Sequence, residues 1–94
     1  MSAVPDDKKL GRVLVSDELF DLLLYKALKP IAPPHLESIL DELIPVETRH
    51  YSFWQDFYKI KIDALDFGRR VKLGVVVFLC RIFGEPAIHL ILEA

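Results

Sequence analysis

The chain has one cysteine, Cys80. A single thiol closes no intrachain disulfide and forms no Cys-x-x-Cys pair, so the expected compartment is a reducing cytoplasm. Long hydrophobic runs are missing too. The longest uncharged apolar stretch is the eight residues Leu73 to Cys80, bracketed by Lys72 and Arg81, whereas a membrane-crossing helix needs about 20. Met1 to Lys9 lacks the apolar region of a secretory leader, so no membrane partner is expected. The four glycines, Gly11, Gly68, Gly74 and Gly84, stand isolated. They build neither a phosphate-cradling loop nor a Gly-x-Ser-x-Gly elbow. No strong excess of one charge exists: 12 Lys+Arg against 14 Asp+Glu give a net −2, which argues against bulk attraction to nucleic acid. Residues 1–47 carry five basic and nine acidic residues and residues 48–94 seven and five, a mild asymmetry that a solvated face explains.

What is present is apolar. In 94 residues, 52% are hydrophobic, slightly above the roughly 45–50% of typical soluble domains. The length fits one domain, read as a polar tail over 1–9 and a single domain over 10–94. A chain this short has little interior, so the excess is covered either by tight packing or by another copy or another protein.

Two amphipathic helices are expected first. Leu10 to Val15 reads as a short edge strand or an extended lead-in. Ser16 then suits an N-cap, with Asp17 and Glu18 in the first turn. Leu19, Phe20, Leu23, Leu24, Ala27 and Leu28 follow at helical spacing, and Pro30 stops the helix. Pro34 suits the first turn of a second helix, in which Leu36, Ile39, Leu40, Leu43 and Ile44 form a full stripe and Pro45 marks the end. The texture then changes. Tyr58 to Asp63 alternates apolar and polar, the period of a strand, and the aromatic stretch 49–57 reads as its extension. Val71 to Phe83, centred on three consecutive valines, reads as a central strand buried on both faces. Ala87 to Glu93 reads as a third strand. The expected class is α+β, two helices on a small antiparallel meander, with an all-α bundle as the alternative.

No catalytic site is expected. His35, His50 and His89 are too far apart in sequence, and on separate elements, to be read as a metal site. No metal or cofactor is therefore expected. Cys80 among Phe78, Leu79 and Ile82 reads as a buried, inert thiol. The carboxylate pairs Asp17/Asp21, Glu37/Asp41 and Asp41/Glu42 read as solvated faces.

The leading expectation is a non-enzymatic protein–protein interaction module, either homodimeric or docked on another protein. Its contact residues are the aromatic cluster Tyr51, Phe53, Trp54, Phe57 and Tyr58, with an edge strand of Ile88, Leu90 and Leu92 as the alternative surface. A second reading is a small-molecule-binding or enzymatic domain with an apolar pocket tipped by Trp54, Tyr58 and His89. A third is single-stranded nucleic-acid binding, with Lys59, Lys61, Arg70 and Lys72 lining one sheet face beside the aromatics.

Overall fold

In the computed structural model, which describes residues 8–93, the chain is four helices and their connections. Helix α1 is Lys8–Leu28, followed by a 3-10 turn at Lys29–Ile31; α2 is Pro34–Tyr58, α3 is Phe67–Phe83 and α4 is Glu85–Glu93. Among the described residues there is no strand. The class is therefore all-α, and the expected α+β meander is replaced by the bundle alternative. Of the expected tail, residues 1–7 lie outside the described residues, while Lys8 and Lys9 open α1.

The helix boundaries follow local chemistry. Pro30 falls in the 3-10 turn that closes α1, and Pro34 occupies the first turn of α2, where a missing N–H costs nothing. Lys59 adopts the left-handed region (φ 55°, ψ 44°), and the Ile60 N–H returns to Gln55 O at 3.0 Å, ending α2. The Asp66 side chain accepts the Arg69 N–H at 3.1 Å and so caps α3. Gly84, at φ 69°, turns the chain from α3 into α4, a backbone region that glycine enters freely.

Four sequence expectations are overturned. Ser16 is not an N-cap: it is buried in mid-helix, and α1 runs through residues 10–15 instead of starting after them. Pro45 does not end α2, which continues through it to Tyr58 and takes in the stretch 49–57 expected as strand. The price of continuity is the lost N–H of Pro45; Thr48 Oγ1 donates back to Ile44 O at 2.7 Å beside the break. The alternating residues after Tyr58 form an extended connection over 59–66, strapped to α2 by Ile62 N–H donating to Gln55 Oε1 at 2.9 Å and by the Tyr51 hydroxyl donating to Ile62 O. Finally, 71–83 and 87–93 are helices, not strands. Helix propensities differ by well under about 1 kcal/mol per residue, and here packing decides: Leu73, Val76, Val77 and Cys80 face the core at i, i+3, i+4 and i+7.

That core is built from Leu24, Leu28, Leu36, Leu40, Cys80 and Ile88, one or two from each helix. Farther along α1, Val15 and Leu19 are also buried. Gly11 lies so close to α2 that a Cβ there would meet Tyr58 Cγ at 2.6 Å. The radius of gyration is 14.7 Å, with extents of 48 × 26 × 20 Å; a spherical domain of this length is nearer about 13 Å. Elongation leaves less interior, and α3 shows the consequence.

Candidate functional site

Helix α3 packs by one side only. Its outer side carries Phe67, Val71, Val75, Phe78 and Ile82, all exposed, with Phe78 at 60% and Ile82 at 58%. These residues step by four, four, three and four, which returns to one helix face each time. From Val71 onward the 4-3-4 step is that of helices that wind around a partner. Leu79 and Phe83 widen the stripe, and Leu90 on α4 is 70% exposed. The stretch expected to be the most deeply buried thus carries the largest group of exposed large apolar side chains among the described residues. The helix carries Arg69, Arg70, Lys72 and Arg81 and no acidic residue. Arg69 is engaged, with Asp17 and Asp66 each at 2.8 Å.

The aromatic cluster does assemble, on α2. Phe53, Trp54, Phe57 and Tyr58 form a connected set of ring contacts with centroids 5.0–5.8 Å apart. Phe53 and Phe57 are exposed, Tyr51 and Trp54 are half-buried, and Tyr58 is buried against Gly11. Of the C-terminal trio, Ile88 is a core residue, Leu92 is half-buried and Leu90 faces outward. Tyr58 and Ile88 therefore offer no surface to a partner, and the edge strand does not exist. The four cations lose their common sheet face as well. Lys59 and Lys61 lie on the 59–66 connection and Arg70 and Lys72 on α3, with Lys72 Nζ 5.1 Å from the Phe20 ring centroid. His89 faces Glu93 at 3.3 Å on α4, whereas Trp54 and Tyr58 are on α2. Cys80 is 1% exposed, and burial raises its thiol pKa, as an inert core cysteine requires.

A polar cluster lies where α1 crosses α2. Glu18 from α1 meets Glu47 and His50 from α2, and one ligand-capable atom from each falls within 4.8 Å of the others. His50 Nδ1 is 3.8 Å from Glu18 Oε2 and 3.7 Å from Glu47 Oε1. Both carboxylates are mostly buried, at 22% and 14% side-chain exposure, while the imidazole is half open to solvent. Glu18 Oε2 is shut off from solvent and has no hydrogen-bond partner among the described residues. Burial first, then the neighbouring Glu47 carboxyl, push Glu18 up to about 8. Burial also raises Asp21, reinforced by Glu47 and Asp17 and opposed by Lys72. From sequence, Glu18 reads as a first-turn helix-dipole residue and the carboxylate pairs as solvated faces. The available signal was Glu47-Thr48-Arg49-His50, a Glu-x-x-His step that puts both side chains on one helix face. It was hidden by reading 49–57 as a strand. His35 and His50, expected on separate elements, share α2.

No family model, curated protein or solved structure matches this chain. No described helix is long and apolar enough to cross a membrane.

Proposed function

We propose that the chain is a non-enzymatic interaction module that pairs with a second copy of itself through the outer face of α3. The observation that carries this reading is the exposed stripe Phe67, Val71, Val75, Phe78 and Ile82. Taking about 150–200 Å² for each full apolar side chain, the exposed fractions along α3 amount to roughly 700 Å², close to the roughly 800 Å² that each partner gives a standard stable interface. The largest patch on an ordinary monomer is about 300–600 Å².

A second copy fits the stripe better than a charged partner does. The 4-3-4 step of Val71, Val75, Phe78 and Ile82 is self-complementary, since knobs of one helix enter the holes of an identical one. In an antiparallel pairing about a two-fold axis, Val71 layers on Ile82 and Val75 on Phe78. Lys72 then comes beside Leu79, and Arg81 beside Gly74, so no two cations oppose each other. Gly74 has nothing within 4 Å of where its Cβ would stand, which leaves room for the arginine stem.

Light scattering on a size-exclusion column, over a wide dilution series, tests the reading. The expected result is a dimer for the wild type and a monomer of unchanged helical content for Phe78→Glu. The milder Phe78→Ala weakens association by about 2 kcal/mol or more, roughly 30-fold in Kd. A wild type that stays monomeric at the highest concentration overturns the pairing. Co-sedimentation of that monomer with anionic vesicles would assign the face to a lipid surface instead, as its flanking cations allow.

A further inference from the structure

We propose that Glu18, Glu47 and His50 form a binding site for one divalent transition-metal ion, of the zinc or cobalt class, at the crossing of α1 and α2. The inference stands on a different part of the molecule from the α3 face and does not depend on it.

The donor set is the first ground. One imidazole nitrogen and two carboxylate oxygens suit zinc, cobalt, iron or manganese; calcium and magnesium prefer oxygen alone. Three protein ligands with an open flank is the arrangement of an ion that keeps water in its remaining positions. Here the flank is the exposed side of His50.

Geometry is the second ground. Ligand atoms around a tetrahedral ion at about 2.0–2.1 Å stand roughly 3.4 Å apart. His50 Nδ1 lies 3.8 Å from Glu18 Oε2 and 3.7 Å from Glu47 Oε1, and all three donors fall within 4.8 Å of one another, so side-chain rotation alone draws them onto an ion. The backbone positions are fixed by the packing of α1 on α2, with Glu47 and His50 one turn apart on the same helix.

The third ground is the unmet demand at the centre. Glu18 Oε2 faces this cluster, closed off from solvent and without a hydrogen-bond donor among the described residues, and a buried carboxylate oxygen in that position is costly. Among the described residues, no Lys or Arg forms an ion pair with Glu18 or Glu47; the ion-pair neighbour of both is His50. Asp17 and Asp21 add further negative potential. A bound cation would supply the positive charge that the two carboxylates face only through His50.

Titration of the chelator-treated chain with ZnCl₂ in a calorimeter, followed by cobalt(II) absorption spectroscopy, decides the matter. The expected result is one ion per chain at micromolar affinity, with the intense visible bands of low-coordinate cobalt. Glu18→Gln and His50→Ala should each weaken binding at least as much as the roughly 10–100-fold that even outer-sphere changes cost. Glu18→Gln removes a repulsion and so keeps the fold, which circular dichroism checks. His35 and His89 each sit beside one carboxylate, Glu85 at 3.4 Å and Glu93 at 3.3 Å. His35→Ala and His89→Ala should leave the affinity unchanged. No binding below millimolar zinc overturns the proposal, as does binding that survives Glu18→Gln or is abolished by either control.

Discussion

Placing one methyl group at two glycines distinguishes the two sides of this molecule. Both Gly11 and Gly74 lie inside helices, where replacing glycine by alanine gains about 1 kcal/mol of helix propensity. At Gly74 a Cβ meets nothing within 4 Å, so Gly74→Ala keeps the whole gain. At Gly11 the added Cβ would stand 2.6 Å from Tyr58 Cγ and 2.8 Å from Ile60 Cδ1. Tyr58 Cγ is the ring's attachment point and cannot swing aside, and the ring is only 5% exposed. Overpacking of this kind costs about 1–3 kcal/mol, with the backbone of α1 pushed off α2. Gly11→Ala therefore ends between neutral and about 2 kcal/mol less stable, and the two variants differ by about 1–3 kcal/mol. In a chain of this size 1 kcal/mol is worth about 4–8 °C in Tm, so their melting curves should separate by at least about 4 °C. The measurement is thermal unfolding followed by circular dichroism, at a dilution where self-association adds nothing. Equal melting temperatures would refute the close approach of α1 to Tyr58 and, with it, the packing of the 59–66 connection.

Two further outcomes follow from the interior. Glu18 has a folded pKa of about 8 against an ordinary 4.5, so below about pH 4.5 it is neutral in both states and its burial is tolerated. As the pH rises toward about 8 the unfolded chain ionises freely and the folded chain does not, so stability falls across that window. Solvent reaches 22% of the side chain, and after that screening the loss is on the order of 1–2 kcal/mol. Urea titrations of metal-free protein at pH 5 and pH 8 should show the loss in the wild type and a smaller one in Glu18→Gln, with raised Asp21 keeping part of the slope; equal losses would remove Glu18 as the cause. Leu40, 0% exposed at the meeting of four helices, should cost about 2–5 kcal/mol as Leu40→Ala in the same titration, and a cost under about 1 kcal/mol would contradict the assigned core.

Leu19, Leu24, Leu28, Leu36 and Leu40 announce their helices because their spacing agrees with the prolines at 30 and 34, even though the cap expected at Ser16 and the stop expected at Pro45 do not hold. The second half of the chain misleads where one rule speaks louder than the rest. Three valines in a row suggested a strand, yet Leu73, Val76, Val77 and Cys80 held a complete helical inner face and Val71, Val75, Phe78 and Ile82 a complete outer one. Read as a strand, both faces were assigned to burial; read as a helix, one of them is left over. Pro45 reads as a stop because local cost favours breaking there, but α2 gains enough from packing on α1 to run through it. That error also hid Glu47 and His50 from each other. Glu18 was invisible for another reason: nothing in its neighbours along the chain reveals that α2 will press a second carboxylate against it.

Pro45 leaves α2 with a missing rung in its ladder, and the two halves beside that rung lean on different supports. Leu36 and Leu40 brace the first half on the core, while the second half ends at Tyr58, seated on Gly11. A helix interrupted in this way is a lever with its most compliant point near the middle. Glu47 sits two residues beyond that point, on the long arm. With both ends braced, any give in the helix is confined to the stretch beside the missing rung, and Glu47 is the site residue nearest to it.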